Sequence, residues 1–248
     1  MNGVSFDFTG TNVLVTGGTS GIGHAISASF ADAGASVMIT GTRSSAADYD
    51  TELSRFSYMQ LEMRDGQAVD ALAAGLGTLD VLVNNAGANF PDGLDEWSPE
   101  GFSASLAMNV EGAQRLSVRC RDALAKSSMA GGASVVNMIS MMTYRATTIV
   151  PGYSSSKAAL LALTRNLALH FVNDGIRVNA VAPGLVDTPM TAPMKPFPEM
   201  LEGELAKQMM RRMGTPEEIA AAVLFLSSEV SSFTTGTSFA VDGGFLAL

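Results

Sequence analysis

The sequence predicts one doubly wound α/β domain with about seven parallel strands and helices on both faces of the sheet. Three observations predict this fold. Short runs rich in Val and Ile lack strict apolar–polar alternation, as strands do when both sheet faces are covered. Longer amphipathic segments separate these runs, and strand–helix alternation indicates right-handed βαβ crossovers. Hydrophobic residues make up 47% of the 248 residues, which is enough material for a large core.

In chain order, the predicted strands are separated mainly by helical patterns. The predicted strands are 12–18, 36–41, 58–63, 79–87, 133–140, 176–184 and 237–244. The predicted helices are 22–33, 66–75, 99–127, 154–173 and 217–227. Most strand runs end at or near Gly, Asn or Ser, the loop formers expected at the carboxyl edge of a parallel sheet. No linker, repeat or low-complexity segment interrupts the pattern, so residues 1–248 form one predicted domain.

Composition argues against several classes of function. The net charge of −9 and the pI of about 4.6 disfavour nucleic acid as a partner, because phosphate binding relies on clustered Lys and Arg. A single cysteine, Cys120, excludes an internal disulfide, and no His/Cys/Asp/Glu cluster predicts a metal site. Neither a signal peptide nor an 18-residue apolar run is present, so we expect a cytoplasmic protein without membrane contact.

The stretch "VLVTGGTSGIGHAI" places Gly17, Gly21 and Gly23 between a buried strand and an amphipathic helix. Glycines let the backbone approach a pyrophosphate without a Cβ clash, and the helix N-terminus offers free N–H groups to the anion. This arrangement predicts a dinucleotide turn in a Rossmann-like sheet. A glycine-rich tight turn that holds no ligand is the alternative.

The stretch "YSSSK" places Tyr153 four residues before Lys157. On a helix these two positions lie one above the other on the same face, so an ammonium can lie beside a phenol. The same spacing is also common by chance on helix surfaces, and the pair alone does not decide between the two.

Together the motifs resemble those of the short-chain dehydrogenase/reductase family. They occur in the order "TGGTSGIG", "NNAG" at 84–87, "NVEG" at 109–112, Ser140, "YSSSK" and "PG" at 183–184, with 13 residues from Ser140 to Tyr153. The C-terminal region is also similar to that of bacterial 3-oxoacyl-carrier-protein reductases. The resemblance covers about residues 10–244 and implies hydride transfer between a nicotinamide cofactor and a ketone or secondary alcohol.

The resemblance also implies roles for four residues. Tyr153 would be the acid/base at the substrate oxygen, and Lys157 would stabilise the phenolate and hydrogen-bond the nicotinamide ribose. Ser140 would hold the substrate oxygen against the phenol. Asn109 would hold a water that connects Lys157 to solvent, although it could instead be a polar residue that bends a helix locally.

The predicted cofactor contacts follow the carboxyl edge of the sheet, and Glu62 is expected to face the adenine amino group beside Met63. The predicted set is Gly17, Thr19, Ser20, Gly21, Ile22, Gly23, Thr42, Arg43, Glu62, Met63, Asn85, Ala86, Gly87, Tyr153, Lys157, Pro183, Gly184, Val186 and Thr188. Asn84 is expected to tie neighbouring strands together.

The residues after the second strand favour NADP(H), with NAD(H) as the cofactor the protein could also use. NAD-specific relatives carry an acid at position 41 that grips the ribose hydroxyls, whereas this chain has Gly41 followed by Thr42, Arg43 and Ser44. A guanidinium suits phosphate because its planar fork donates two hydrogen bonds. Two observations weaken the prediction: Ser20 stands where many NADP-dependent relatives have a basic residue, and Arg43 could instead point to solvent.

Methionines favour an apolar or cyclic ketone or alcohol as substrate. Six lie in 188–213, where relatives carry a mobile substrate lid, and Met138, Met141 and Met142 flank Ser140. Simple core filling is the alternative explanation of these methionines. Arg145 could contact a substrate carboxylate, but we expect it to lie on the surface.

Two other functions stay open, a 3-oxoacyl thioester reductase and a catalytically silent protein that senses dinucleotides. The family resemblance further implies a homotetramer. It would pair the helices 99–127 and 154–173 across one two-fold axis, with the last strand near another. The intact Ser140, Tyr153 and Lys157 favour an enzyme over a silent relative.

Overall fold

The computed structural model describes residues 5–248, which build one sheet of seven parallel strands. The strands are β1 (Asn12–Val15), β2 (Ser36–Gly41), β3 (Ser57–Gln60), β4 (Val81–Asn84), β5 (Ala133–Met138), β6 (Ile176–Pro183) and β7 (Ser238–Val241). The helices are α1 (Gly21–Asp32), α2 (Gly66–Ala74), α3 (Pro99–Leu106), α4 (Gly112–Arg119), α5 (Arg121–Leu124), α6 (Pro151–Phe171), α7 (Pro198–Leu205) and α8 (Pro216–Ser227). The predicted doubly wound α/β fold is therefore confirmed.

The strand order is β3-β2-β1-β4-β5-β6-β7, so the direction of winding reverses between β1 and β4. The loops that follow these two strands diverge and leave a crevice at the carboxyl edge of the sheet. In open α/β sheets ligands bind at this switch point.

Apolar side chains on the two faces of the sheet form two separate cores. Val13 and Val15 of β1 pack with Phe30 of α1 and with α8, whereas Leu14 faces the opposite layer and packs with Phe171 of α6. Successive strand residues point to opposite faces, so both kinds of position must be apolar in a sheet covered twice. This explains why the strand runs lack strict alternation.

The prediction of a single helix over 99–127 is wrong. Residues Ala107–Glu111 form a π-turn between α3 and α4, and α5 follows separately. The cause is Asn109, whose buried side-chain amide donates to the Ser105 carbonyl at 2.9 Å and so uses an acceptor of the helical ladder. A side chain that inserts into the i→i−4 ladder widens or bends a helix.

The remaining differences lie at element ends and in one helix that was not predicted. β1 ends at Val15 rather than residue 18, because Gly17 has a left-handed φ of +64° and starts the turn. The predicted lid 188–213 contains α7, whose apolar residues are too few to signal a helix in sequence. No helix among residues 5–248 is long and apolar enough to cross a bilayer.

Candidate active site

The glycine turn between β1 and α1 closes tightly on itself. A Cβ at Gly23 would lie 2.3 Å from the Gly17 carbonyl oxygen and 2.4 Å from Nδ2 of Asn85, so this position accepts only glycine. Ser20 is the N-cap of α1 but makes no side-chain cap hydrogen bond. The first-turn N–H groups of α1 have no helical partner and are available to an anion.

The segment after β4 is fastened to this turn. The Thr16 hydroxyl accepts hydrogen bonds from the backbone N–H groups of Asn85 and Ala86, each at 3.0 Å. Asn85 returns side-chain hydrogen bonds to the carbonyls of Thr16 and Gly17 at 2.9 and 3.1 Å. The switch-point crevice therefore has a fixed wall. Asn84 ties β4 to β5, as predicted, through a 2.7 Å hydrogen bond to Asn137.

A cavity of about 400 Å³ runs along the carboxyl edge from the glycine turn to Tyr153. Of the residues predicted from sequence, the cavity is lined by Gly17, Thr19, Ser20, Gly21, Ile22, Gly23, Thr42, Met63, Asn85, Ala86, Gly87, Ser140, Tyr153, Lys157, Pro183, Gly184, Val186 and Thr188. Arg43, Glu62 and Asn109 are not part of the lining. The elongated cavity, with a glycine cradle at one end and a phenol at the other, fits a dinucleotide.

Tyr153 and Lys157 lie on one face of the first turns of α6, as their spacing requires. The Lys157 Nζ atom is 5.5 Å from the centroid of the Tyr153 ring and donates to the Met138 carbonyl at 2.8 Å. Burial lowers the pKa of Lys157 from 10.5 to about 8, since only 3% of the residue is exposed.

The surroundings of Tyr153 shift the pKa of its phenol in opposite directions. Burial raises the pKa of Tyr153, the neighbouring Ser140 hydroxyl lowers it, and the negative charge of Glu96 raises it again. Ser140 follows β5, and its hydroxyl also accepts from the Met142 N–H at 3.2 Å. The structure thus brings Ser140, Tyr153 and Lys157 together at one end of the cavity.

Asn109 lies behind this group rather than in the cavity wall. Its side chain exchanges two hydrogen bonds with the backbone of Ala88 and donates a third to Ser105. A Cβ at Gly87 would lie 2.6 Å from Asn109 Oδ1 and 3.1 Å from Lys157 Nζ, so Gly87 lets the two side chains approach each other. The polar residue that breaks the helix therefore also lies beside Lys157.

The far end of the cavity differs from the sequence prediction in the placement of Arg43. The Arg43 guanidinium stacks 4.7 Å from the centroid of the Tyr49 ring and donates to the Asp48 carbonyl. Tyr49 lines the cavity instead, and a Cβ at Gly41 would lie 2.4 Å from its hydroxyl. The Tyr49 phenol thus occupies the space beside Gly41.

Glu62 does not face the cavity as predicted. Its carboxylate pairs with Arg64 at 3.3 Å, and Arg64 also binds Asp92. Leu61 and Met63 on either side of Glu62 line the cavity, because alternate residues of an extended segment point in opposite directions. Of the two predicted residues, Met63 therefore lies in the cavity wall and Glu62 does not.

The methionines divide into three groups. Of the nine that the sequence placed beside the pocket, only Met138 and Met190 line the cavity. Met141, Met142, Met194 and Met213 join a separate apolar cluster with Phe245 beneath the predicted lid, and Met200, Met209 and Met210 are exposed. Met138 is also a buried member of the sheet core, so core filling explains five of the nine.

Two features of the site were missed from the sequence. Tyr49 follows Gly41 by eight residues and carries no motif, so no local signal marks it. Glu96 is buried beside Tyr153 but reads as an ordinary loop acid in sequence. Arg145 is exposed as predicted, and its guanidinium binds the Phe245 and Leu248 carbonyls.

Comparison with known proteins gives consistent matches over the whole fold. Residues 17–246 match the family model described as Enoyl-(Acyl carrier protein) reductase. The chain is 35% identical to cis-4-hydroxycyclohexanecarboxylate dehydrogenase of Sinomonas cyclohexanicum, over 95% of this chain and 96% of the relative. It is also 35% identical to the 3-oxoacyl-acyl-carrier-protein reductase FabG of Chlamydia muridarum, over 93% and 95% of the two chains.

A solved structure extends the likeness to three dimensions. The crystal structure of a putative NAD(P) dependent gluconate 5-dehydrogenase from Beutenbergia cavernae, with bound NADP, superimposes with a TM-score of 0.85. The two chains are 32% identical, and the match covers 99% of this chain and 100% of the other. The three similar proteins carry three different substrate names, so similarity alone does not select a substrate.

Proposed function

The chain belongs to the short-chain dehydrogenase/reductase family, and we propose that it interconverts an apolar or cyclic ketone and its secondary alcohol with Tyr153 as acid/base. One observation carries the proposal. The glycine cradle, Ser140, Tyr153 and Lys157 line the same cavity. A silent dinucleotide sensor has no need of a phenol and an ammonium at the end of its ligand site.

The chemistry of each group gives it a separate role in the reaction. A bound nicotinamide cofactor supplies or accepts the hydride. The Tyr153 hydroxyl donates a proton to the oxygen of the ketone during reduction and accepts it from the alcohol during oxidation. The Ser140 hydroxyl, which lines the cavity together with the phenol, orients the substrate oxygen against it. The buried Lys157 ammonium stabilises the phenolate that forms after proton donation.

The choice of an apolar substrate rests on the cavity wall near Tyr153. Ala88, Met138, Ile139, Pro189 and Met190 belong to the cavity lining and offer no charge to a substrate. Arg145 is engaged with backbone carbonyls, so it is not poised for a carboxylate. We propose that residues 188–213 act as the substrate lid, since Met190 belongs to the wall and α7 packs on Met141 through the neighbouring cluster.

A substrate panel tests the function. Wild-type protein is mixed with NADPH and with apolar ketones, cyclic ketones, keto acids and a 3-oxoacyl thioester, and the loss of reduced cofactor is followed by absorbance. Tyr153→Phe, which keeps the ring but lacks the proton, is the control and is expected to lose turnover by about 10² or more. Faster turnover of the thioester or of keto acids would replace the proposed substrate class. Cofactor binding without any turnover would favour the sensor.

For the cofactor we propose NADP(H) over NAD(H). Gly41 lacks the carboxylate that would repel a 2′-phosphate, and Thr19, Thr42 and Tyr49 place hydroxyl groups at that end of the cavity. Arg43 is exposed on the far side of the Tyr49 ring, so a swing of its side chain would bring the guanidinium to the phosphate. The proposal therefore assigns Arg43 a contact that forms when the cofactor binds.

For the assembly we propose a homotetramer. β7 is an edge strand that pairs only with β6 in the described sheet, and its Phe239 is 44% exposed. Leu169 on α6 is 79% exposed. Both elements are those that the family resemblance places at two-fold axes, and closed symmetric assembly would cover them. Light scattering that finds a dilute, fully active monomer would contradict this proposal. The cytoplasmic location stays a prediction from sequence.

A further inference from the structure

Glu96 is a buried acid that takes part in none of the ion pairs found among residues 5–248. Only 1% of the residue is exposed. It lies in the loop between β4 and α3, and its two carboxylate oxygens accept hydrogen bonds from different parts of the chain. Oε1 accepts from the Phe90 N–H and Oε2 accepts from the Tyr153 N–H, each at 2.8 Å. Charge-assisted bonds of this kind are among the stronger ones in proteins.

The bond to Tyr153 caps the N-terminus of α6. Val150 is the N-cap residue and has no side-chain oxygen, so α6 begins without a local cap. Tyr153 is the third residue of the helix, and its N–H is one of the groups that a cap normally satisfies. Glu96 supplies this acceptor from another segment, and its negative charge faces the positive end of the helix dipole.

The packing leaves the first turn of α6 little freedom relative to Glu96. A Cβ at Gly152 would lie 2.8 Å from the Ser105 hydroxyl and 3.3 Å from Glu96 Oε2. The residue after Glu96 adds a second attachment, because Trp97 Nε1 donates to the Thr148 carbonyl at 3.0 Å. The loop therefore joins the start of α6 to the segment before it.

Groups from three parts of the chain lie near Tyr153. Lys157 lies on the same helix, the Ser140 hydroxyl comes from the segment after β5, and Glu96 comes from the loop after β4. The charge of Glu96 raises the pKa of Tyr153, although burial is the larger cause of the rise. Glu96 and the Ser140 hydroxyl thus shift the pKa of Tyr153 in opposite directions.

We infer that Glu96 is a positioning residue that fixes the first turn of α6 and places a negative charge beside Tyr153, the residue that donates the proton in ketone reduction. The inference rests on the proposed role of Tyr153. A protonated phenol favours the reductive direction, because only that form can give a proton to the substrate oxygen. Lys157 alone would favour the phenolate, which is the base needed for alcohol oxidation.

Two variants separate the effect of the charge of Glu96 from the effect of the length of its side chain. Glu96→Gln keeps the length of the side chain and removes the charge. Glu96→Asp keeps the charge and shortens the reach to the two N–H groups. Glu100→Gln, an exposed acid in the first turn of α3, is the matched control. The readouts are the pH titration of the Tyr153 Cζ resonance in tyrosine-labelled protein, assigned with Tyr153→Phe, and the hydrogen-exchange rate of the Tyr153 amide.

We expect the Tyr153 resonance to titrate at lower pH in Glu96→Gln than in wild type, and at the wild-type pH in Glu96→Asp and Glu100→Gln. The Tyr153 amide should exchange roughly 10-fold faster or more in Glu96→Asp, the change expected when a charge-assisted hydrogen bond is lost. A wild-type titration in Glu96→Gln would overturn the electrostatic role. Unchanged amide exchange in Glu96→Asp would overturn the positioning role.

Neither readout needs turnover. If the substrate panel fails, both measurements still report on Glu96, and if both measurements fail, the assignment of the reaction stands. Glu96→Asp retains a charged acceptor, so it still tests the positioning role through the exchange rate of the Tyr153 amide should Glu96→Gln not fold.

Discussion

Replacement of Lys157 by Met should make the protein more stable while it removes the proposed activity. Lys157 is 3% exposed, and burial lowers its pKa from 10.5 to about 8. The difference between these two values, at about 1.4 kcal/mol per pKa unit, is a destabilisation of roughly 3 kcal/mol at pH 7. Met has a similar length and carries no charge to bury.

Part of this gain is offset by a lost hydrogen bond. Lys157 Nζ donates to the Met138 carbonyl at 2.8 Å, and the loss of such a bond costs about 1 kcal/mol. We therefore expect the free energy of unfolding of Lys157→Met to exceed that of wild type by about 2 kcal/mol at pH 7. Turnover should disappear, since no ammonium remains to stabilise the phenolate.

The pH dependence gives the sharper test. Between pH 8 and pH 10.5 the unfolded chain binds a proton at Lys157 that the folded protein does not, so wild-type stability rises with pH in that window. The advantage of Lys157→Met should be complete below pH 8 and should turn into a deficit of about 1 kcal/mol above pH 10.5, where only the lost hydrogen bond remains. Urea unfolding across this range measures it, with the exposed Lys126→Met as control. A variant less stable than wild type at pH 7, or a gain that does not change with pH, would refute the reasoning.

Three further substitutions test other parts of the site and the fold. Gly23→Ala should abolish cofactor binding measured by calorimetry, because its Cβ would meet the Gly17 carbonyl at 2.3 Å, whereas Gly77→Ala, with nothing within 4 Å, should bind normally. Arg43→Ala should lower kcat/KM for NADPH by about 10-fold and leave kcat/KM for NADH unchanged. The control is Arg55→Ala, which removes an arginine stacked on Phe56, and an equal loss in this variant would contradict a direct contact of Arg43 with the cofactor. Arg177→Met should lower the free energy of unfolding by about 3 kcal/mol, since Arg177 is buried and donates to four backbone carbonyls. A change under about 1 kcal/mol would mean that these carbonyls find other hydrogen-bond donors.

The fold was predictable because its signals are repetitive and local. Six of the seven strands were placed at the right point in the chain from apolar runs such as 176–184, which the structure gives as Ile176–Pro183, and the third overlapped Ser57–Gln60. The helix 99–127 was overextended because periodicity reports an apolar face but not an inserted amide. Asn109 is only a weak helix breaker by propensity, and its effect depends on finding the Ser105 carbonyl within reach.

The site was predictable where a motif fixes the spacing and unpredictable where the chain folds back. Ser140, Tyr153 and Lys157 are brought together by one strand end and one helix, both of which the sequence indicates. Tyr49 and Glu96 reach the cavity from loops whose path depends on hydrogen bonds such as the Ser45–Asp48 capping box. No sequence pattern records such a path, so their contacts with the site could not be derived.

Burying polar side chains inside the sheet costs free energy. The need to orient α6 explains why they are there. Asn84 donates to Asn137 of β5 at 2.7 Å, and Asn137 donates to Thr164 of α6 at 2.9 Å. Apolar residues at these positions could pack as well, but apolar contacts have no direction and leave the rotation of a helix about its axis poorly defined. A hydrogen bond to Thr164 defines that rotation. Because Lys157 lies two turns before Thr164 on the same face, the bond also fixes the face that Tyr153 and Lys157 present to the cavity.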